Sequence, residues 1–537
     1  MQVHPASLAE PWWKRGVIYN LYPCSYMDGN GDGWGDIAGI RSRLDHLVRL
    51  GIDAIWMSPV FVSPMKDFGY DVADHTAIGP QFGTLAEMDA LIAEVHDRGM
   101  KLMIDFVPNH TSDQHPWFLE SRASRDNPRA DWYVWHDPAP GGGPPNNWRS
   151  LFGGSAWAWC EERGQYWYHA FLAEQPDLNW RNPAVAAAMH DVMRFWLRRG
   201  IDGFRIDAMW HLLKDPLFRD NPPNPDFKPG EPAIRELLQI RIADLPETVD
   251  VVRGFRRVLD EFPDRATIGE LYLDFDRICA YYGAALDGCN LPFNLHLIMD
   301  PWKADVVARA IETYEAALPE GAWPNWIFGN PDNPRVASRL GPAQARVAAV
   351  FLFTARGTPI VWQGDELGLT NGVVPPERVR DPQEKQEPGL VDHNRDIART
   401  PMPWDGTTHA GFSTVEPWLP LTPDHASVNV AAEERDPRSM LSLHRRLIAL
   451  RRAHPALAIG DVTVLTGAND VLAYERRHGG ERFVVALNFA HAARSATLTE
   501  AAGGRIVLTS GLDREGETVG EVVRLAADEA VVIALTE

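Results

Sequence analysis

Amphipathic helices and short apolar strands alternate along most of the chain, and three junctions between them share one pattern. At each junction a helix ends at a glycine, an aliphatic residue and Asp or Lys follow, and a mostly apolar strand begins. The junctions are residues 50–53 before AIWMSP, 98–101 before LMIDFVP and 199–202 before GFRIDA. Glycine ends helices because it adopts the left-handed conformation without strain. The repeat therefore predicts helix–strand units joined by short loops.

Two of these helices also carry start signals. Thr84 followed by Glu87 is a capping box, in which each side chain binds a backbone N–H at the start of the helix. Asn182 and Pro183 suit the cap and first turn of the helix that ends near residue 199. The apolar positions of the first helix repeat at helical spacing: Leu85, Met88, Leu91, Ile92 and Val95.

Five further segments have the length and apolar character of buried strands. They are VIYNLY (17–22), ATIGE (266–270), CNLPFN (289–294), NWIFG (325–329) and TPIVWQG (358–364). With the three above they make eight strands alternating with helices, which predicts a parallel sheet covered on its faces. Eight units over about 450 residues favour an α/β fold of the (β/α)8 TIM-barrel type over the alternative of two separate α/β domains.

Two regions lack this alternation of helices and strands. Residues 109–176 are rich in Trp and Tyr, contain GGGPPNN and lack strong periodicity, which predicts a loop-rich domain inserted after the third strand. After about residue 457 the helical pattern stops, and VTVLTG, VLAYERR, RFVVALNF, RIVLTS and VVRLA alternate like short antiparallel strands. We therefore predict a barrel over 1–108 and 177–457, an insert over 109–176 and a C-terminal β-sandwich domain over 458–537.

Charge and composition exclude several classes of partner. The chain has 52 Lys and Arg against 73 Asp and Glu, a formal charge of −21. Such an acidic protein is repelled by nucleic acid and by anionic membranes, so neither is an expected partner. The first 16 residues show no basic stretch followed by an apolar core, and no run of about 18 apolar residues occurs. Four scattered cysteines without metal-binding spacing suggest reduced thiols and a cytoplasmic location.

The strand GFRID carries the first candidate chemistry. Side chains alternate along a strand, so Arg205 and Asp207 point to the same face. Glu270 ends the next strand, and Asp332 follows NWIFGN. Three acids at the carboxyl ends of barrel strands would repel one another. A catalytic role explains this electrostatic cost better than a structural role does. The structural alternative is an ion pair that fills the barrel.

Two carboxyl groups about 5 Å apart are what a retaining glycosidase requires, one as nucleophile and one as acid. A sugar also needs flat apolar faces and hydrogen-bonding groups. Asp67 and Tyr70 after the second strand, and His110 after the third, offer a carboxylate, an aromatic ring and an imidazole. Taken singly each is an ordinary loop residue, but together with the acids they are candidate sugar ligands.

Six ordered motifs resemble those of glycoside hydrolase family 13, and more narrowly its α-glucosidase and oligo-1,6-glucosidase branch. The motifs are DFVPNH (105–110), QPDLNW (175–180), GFRIDA (203–208), IGE (268–270), GNPD (329–332) and RTPMPWD (399–405). The resemblance implies that Asp207 is the nucleophile, Glu270 the general acid and base, and Asp332 a stabiliser of the transition state. It also implies a blind pocket that holds the terminal glucose with Asp67, Tyr70, His110, Phe171, Arg205 and Arg399.

Two positions modify this expectation. In this branch the residue after the nucleophile is associated with linkage choice, and the small Ala208 resembles α-1,4-preferring members. Where the family usually has Asn-His-Asp, this chain has Asn330-Pro331-Asp332. Proline offers neither an imidazole nor a backbone N–H, so we expect weaker transition-state binding and lowered hydrolysis.

A second candidate site lies in the loop that starts at Asp28. Oxygen-bearing groups alternate with glycines, as in a calcium loop, but Gly39 replaces the glutamate of an EF-hand. The alternative is a solvated turn. The resemblance favours a structural Ca²⁺ ion, with Mg²⁺ as the alternative, and no organic cofactor. Its ligands would be Asp28, Asn30, Asp32, the Trp34 carbonyl and Asp36.

The expected function is that of a retaining α-glucosidase. It would release glucose from the non-reducing end of short, maltose-like α-glucosides and transfer glucose to hydroxyl acceptors. One alternative is a sucrose or trehalose isomerase or a dedicated transglucosylase. Another is a weakly active sugar-binding or transporter-accessory relative, which Pro331 alone favours, since Asp207, Glu270 and Asp332 are all present.

Overall fold

The computed structural model describes residues 10–388 and 394–535. Residues 1–9, on which the prediction about the amino-terminal stretch mainly depends, lie outside the described residues. No helix within the described ranges combines the length and apolar character needed to cross a bilayer.

Eight parallel strands form a nearly closed TIM barrel, and all eight predicted strands are confirmed. Their order around the barrel is β6-β5-β4-β3-β2-β1-β8-β7. The strands are β1 (Ile18–Leu21), β2 (Ala54–Met57), β3 (Lys101–Phe106), β4 (Gly203–Ile206), β5 (Ala266–Gly269), β6 (Leu291–Pro292), β7 (Asn325–Ile327) and β8 (Thr358–Trp362). Consecutive strands pair in register, for example Asp105 with Arg205. Their carboxyl ends therefore meet on one face of the barrel.

Eight principal helices follow the strands and cover the barrel. They are α1 (Leu44–Leu50), α2 (Leu85–Asp97), α3 (Pro183–Arg199), α4 (Thr248–Leu259), α5 (Phe275–Ala280), α6 (Ala304–Ala317), α7 (Pro342–Thr354) and α8 (Met440–Ala453). The capping box at Thr84 and Glu87 is present. Gly51 and Gly200 end their helices in the left-handed conformation, with φ of 95° and 107°. The helix boundary signals in the sequence are thus confirmed.

Alternate residues of each strand enter two different cores. Ala54 and Trp56 pack inside the barrel, whereas Ile55 and Met57 pack against the surrounding helices. This two-sided burial explains why the strands read as continuous apolar runs. It also places Arg205 on the inward face of β4, because its neighbours in that strand, Phe204 and Ile206, belong to the outer core.

The predicted insert contains a helix and a small antiparallel sheet. The helix is Pro116–Ala123, and the strands are Trp135–His136, Trp157–Cys160 and Gln165–Tyr168. Loops on the same face of the barrel carry a two-stranded pair, Phe61–Val62 and Asp74–Ile78. The insert therefore has more regular structure than its sequence predicted.

The C-terminal region forms antiparallel sheets of five and two strands, as its alternating pattern predicted. The strands are β9 (Asp461–Ala468), β10 (Val471–His478), β11 (Glu481–Asn488), β12 (Arg494–Thr497), β13 (Arg505–Thr509), β14 (Val522–Leu525) and β15 (Ala530–Leu535). The larger sheet has the order β9-β10-β11-β15-β13, and β12 pairs with β14. The sequence pattern missed β12 and β15. The exact domain boundaries remain predictions.

Short helices complete the fold. The α-helical ones are Trp12–Arg15, Pro23–Tyr26, Ile37–Ser42, His296–Met299, Val336–Leu340, Pro382–Gln386, Val430–Glu433 and Pro455–Ala458. The 3₁₀ turns are Met209–His211, Ala233–Glu236, Asp365–Leu367, Pro376–Arg378, Arg395–Ala398 and Thr499–Ala501.

Candidate active site

A cavity of about 640 Å³ opens at the carboxyl ends of the barrel strands. Its size is that of a small-molecule site. Seven of the ten predicted catalytic and sugar-binding residues line it: Asp67, Tyr70, His110, Phe171, Asp207, Glu270 and Asp332. The other three, Arg205, Ala208 and Arg399, lie behind its wall, where they contact the acids.

Arg205 joins the two acids that the sequence singled out. Its Nη1 atom lies 2.5 Å from Asp207 Oδ1, and its Nη2 atom lies 3.0 Å from Glu270 Oε2. All three side chains are buried. One guanidinium therefore holds both carboxyl groups beside each other and supplies positive charge where water is largely excluded.

Burial raises the pKa of Asp207 well above its ordinary value, and it also raises the pKa of Glu270. The Arg205 charge opposes both shifts, while the other acids of the site add to them. Two neighbouring buried carboxylates resist being ionised together. The pair therefore tends to keep one proton, which is the protonation state that an acid and a nucleophile require.

The turn after β4 positions Glu270. Ala208 has a φ of 46°, which is strained for a residue with a side chain. Its backbone N–H donates to Glu270 Oε2 at 2.8 Å. Ala208 does not line the cavity, so it contacts Glu270 and not the space that a ligand would occupy.

Asp105, which the sequence did not single out, orders the floor of the site. Its Oδ2 atom accepts a hydrogen bond from the Tyr70 hydroxyl at 2.8 Å, and its Oδ1 atom accepts one from Trp56 Nε1 at 2.9 Å. Arg205 Nη1 lies 3.4 Å from the same carboxylate. The alternation of side chains along β3 places Asp105 inside the barrel, and this signal was available in the sequence.

Arg395 is the most important cavity residue that sequence reasoning missed. Its Nη2 atom lies 2.8 Å from Asp67 and 2.8 Å from Asp381, and its Nη1 atom lies 3.5 Å from Asp332. Arg395 begins the short turn that ends just before Arg399, so it lies four residues before the RTPMPWD motif and carried no motif signal of its own. Only the fold shows that Arg395 lines the cavity.

Arg399 instead supports the segment that carries Asp332. Its Nη2 atom donates to Asp332 Oδ1 at 2.8 Å, and its Nε atom donates to the Pro331 carbonyl at 2.8 Å. The Asp332 backbone N–H donates to Asn330 Oδ1 at 3.0 Å. These contacts fix Asp332 without any side-chain donor from residue 331.

Two neutral histidines border the cavity. Burial and the Lys214 charge lower the pKa of His110 to about 3 and that of His211 to about 4. His110 Nε2 lies 3.1 Å from the Gln175 amide nitrogen, which also donates to Asp67 at 3.1 Å. His110 contacts the ring of Phe171 edge-on, with centroids 5.2 Å apart. The sequence did not identify His211 as a cavity residue.

The predicted cation loop is closed by its own hydrogen bonds. Asp28 accepts from the N–H groups of Asn30, Gly31 and Gly33, and Asp36 caps the next helix through the Gly39 N–H. Asp32 accepts from the Trp34 N–H at 2.8 Å. In the described parts of the chain, no group of three or more acidic, His or Cys side chains is arranged to hold a metal ion. A calcium-type ion here remains a prediction.

Comparison with known proteins agrees with the geometry. The profile described as "Alpha amylase, catalytic domain" matches residues 20–460. The chain belongs to the alpha-amylase family, glycoside hydrolase family 13, and is a glycoside hydrolase.

Its relatives and structural neighbours span several activities. A "Probable alpha-glucosidase" of Rhizobium meliloti (strain 1021) is 43% identical over 92% of each chain. An oligo-1,6-glucosidase of Parageobacillus thermoglucosidasius is 37% identical over 89% of this chain and 90% of its own. The alpha-glucosyl transfer enzyme XgtA superimposes with a TM-score of 0.92, at 38% identity and over 98% and 100% of the two chains. The trehalulose synthase MutB of Pseudomonas mesoacidophila MX-45 gives 0.90, at 34% identity and the same coverage.

Proposed function

We propose that the protein is a retaining α-glucosidase acting on short α-glucosides, with α-1,4 links preferred, and able to transfer glucose to hydroxyl acceptors. The observation that carries the proposal is the pairing of Asp207 and Glu270 on one guanidinium, in a cavity that Asp332 also lines. The alpha-glucosidase named among the relatives and the glucosyl transfer enzyme among the neighbours support it.

The mechanism has two steps. Asp207 attacks the anomeric carbon while Glu270 donates its proton to the departing glycosidic oxygen, which leaves a β-glucosyl ester on Asp207. Glu270, now ionised, takes a proton from water or an acceptor hydroxyl as that oxygen attacks the same carbon. The ester bond breaks, Asp207 recovers its charge, and the product has the α configuration.

The deep end of the cavity would hold the glucose ring. Asp67 and Arg395, paired at 2.8 Å, offer an acceptor and a donor for sugar hydroxyls. Asp332 would accept from a further hydroxyl as positive charge develops on the ring. The Tyr70 and Phe171 rings, which line the cavity, would supply apolar surface. This assignment gives Arg395 the glucose contact that the sequence suggested for Arg399.

The first product of maltose hydrolysis tests the proposal. Retention predicts that time-resolved proton NMR shows α-glucose before mutarotation equilibrates the anomers, and that Asp207→Asn abolishes release. Initial β-glucose would contradict the nucleophile assignment. Appearance of new glucosidic links in the same spectra would demonstrate transfer.

Sucrose isomerisation is the second candidate, favoured by the similarity to MutB. Product analysis on sucrose separates the two functions: an α-glucosidase yields glucose and fructose, whereas an isomerase yields a new disaccharide with little free glucose. A catalytically silent sugar-binding protein would release nothing from either substrate.

A structural cation and a cytoplasmic location complete the proposal. The loop of residues 28–36 offers only oxygen ligands, which suit Ca²⁺ better than a transition metal. All four cysteines are buried free thiols, as expected for a reducing compartment.

A further inference from the structure

The cavity has two zones that differ in depth. The acids at its deep end are almost fully covered, with Asp207 7% and Glu270 8% exposed. Ile240 and Tyr272 line the same cavity but are 52% and 36% exposed. A glucose ring bound to the acids would fill the deep zone. The exposed zone is then the space for the group on the other side of the scissile bond.

This outer zone is mainly apolar. The residues that form it come from the insert and from the loops after β4 and β5: Leu151, Trp210, Ile240, Ala243, Tyr272 and Leu273. The Trp210 and Tyr272 rings contact each other, with centroids 5.4 Å apart. When a ligand covers large apolar side chains that are exposed in a cavity, the free energy of the complex falls because apolar surface is removed from water.

Most of the polar groups in this zone already have partners. Asp244 is bound by Arg277 at 2.7 and 2.9 Å and by the Tyr281 hydroxyl at 2.9 Å. The Gln239 amide nitrogen donates to the carbonyls of Ile234 and Leu237. The Gln239 carbonyl oxygen is itself buried, which leaves the Gln383 side chain as the polar group that could meet a ligand. A sugar with several hydroxyls would lose more hydrogen bonds to water here than it regains.

We propose that this apolar outer zone selects flat, apolar alcohols, such as benzyl alcohol and phenols, over sugars as acceptors of glucose. The proposal rests on the proposed glucosyl-enzyme chemistry. The alcohol oxygen forms a bond to the anomeric carbon as the ester bond to Asp207 breaks, and the hydroxyl proton passes to Glu270. The product is an aryl or alkyl α-glucoside, and both carboxyl groups return to their starting states.

A competition between two acceptors tests this selection. The enzyme is given maltose as donor with equal concentrations of benzyl alcohol and methyl β-glucoside, and the initial transfer products are separated by chromatography. We expect benzyl α-glucoside to form at least about fivefold faster than the transfer product of methyl β-glucoside. Equal rates, or faster transfer to the sugar, would overturn the proposal.

Substitutions in the outer zone test whether its apolar residues determine the acceptor preference. Ile240→Asn and Leu273→Asn should each lower the ratio of benzyl to sugar transfer at least about threefold, because each removes apolar surface. Leu238→Asn is the matched control, since Leu238 lies in the same loop and is partly exposed but does not line the cavity. It should leave the ratio unchanged. If neither cavity variant lowers the ratio, the outer zone does not select acceptors.

Maltose hydrolysis distinguishes failure of the acceptor proposal from failure of the α-glucosidase function on which it rests. If the wild-type protein releases no glucose from maltose, the proposed α-glucosidase function fails. If it releases α-glucose but prefers the sugar acceptor, only the acceptor proposal fails. Glucose release by each variant shows that its site is still folded.

Discussion

Pro331 is the residue at which this chain departs most clearly from the motif it resembles. The neighbouring contacts are intact, because Arg399 binds both the Pro331 carbonyl and Asp332. Residue 331 lacks a side-chain hydrogen-bond donor, whereas Asp332 is still held in place. The departure should therefore affect binding of the transition state and leave the fold unchanged.

Restoring the imidazole should raise activity. Pro331→His would add a hydrogen bond to a sugar hydroxyl worth about 1 to 3 kcal/mol, so kcat/KM for maltose should increase about fivefold or more. Pro331→Ala controls for the loss of the ring and should give no such gain. A Pro331→His enzyme as slow as wild type would show that another group already makes this contact.

The paired acids predict a bell-shaped pH dependence. At low pH both are protonated and the nucleophile is lost; at high pH both are ionised and the acid is lost. Because burial raises the pKa of both groups, the acidic limb should lie above about pH 4, the ordinary value for a carboxyl group.

Glu270→Gln assigns the basic limb. With 4-nitrophenyl α-glucoside, whose leaving group needs no proton, kcat/KM of this variant should rise to a plateau at high pH. For maltose its kcat/KM should fall at least about a hundredfold. A basic limb that persisted with the nitrophenyl substrate would assign it to another group.

Among the elements, strands were easier to predict than loops. The eight barrel strands are visible in the sequence because both of their faces are buried, and their helices end at glycines such as Gly51 and Gly200. The loop that presents Asp67 gave no such signal. Asp71 holds it by accepting from the N–H groups of Lys66 and Asp67 at 2.9 and 3.0 Å. These contacts offset strained backbone at Met65 and Phe68, which have φ of 61° and 51°.

The loop of residues 28–36 is the element whose role a chelator can decide. A bound Ca²⁺ ion would stabilise the folded state by mass action, so removing it with EDTA should lower Tm, and added Ca²⁺ should restore it. Asp32→Ala should lower Tm in the presence of Ca²⁺ and abolish the response to EDTA. An unchanged wild-type Tm in EDTA would favour the solvated turn.

For the whole molecule, buried arginines connect the barrel to the C-terminal sheet. Arg476 of β10 is fully buried and donates to the carbonyls of Thr354, Leu457 and Gly460, of which the first ends α7. Burial, with the Arg451 charge adding to it, lowers the pKa of Arg476 to about 9. An arginine held by carbonyls rather than by a carboxylate orders several backbone segments at once.

Removing this anchor should destabilise the protein without changing its chemistry. Arg476→Met leaves several buried carbonyls without a donor, which should cost about 3 kcal/mol or more in the free energy of unfolding. Urea unfolding followed by Trp fluorescence measures it, and the exposed Arg524→Met should change it by less than about 0.5 kcal/mol. A normal kcat/KM below the transition would confirm an intact site. Equal stability of the two variants would contradict the anchoring role.

The barrel, the C-terminal sheets and the candidate acids could be predicted from the sequence, because burial on both faces, alternation and motif order are local properties of the chain. Which side chains meet at the site depends instead on the packing of distant segments. Arg395 and Arg399 are four residues apart and only Arg399 belongs to the RTPMPWD motif, yet of the two Arg395 lines the cavity. Likewise, Ile240 and Tyr272 share the outer zone although they lie on separate loops. Such convergence depends on how distant segments pack, which no local pattern records.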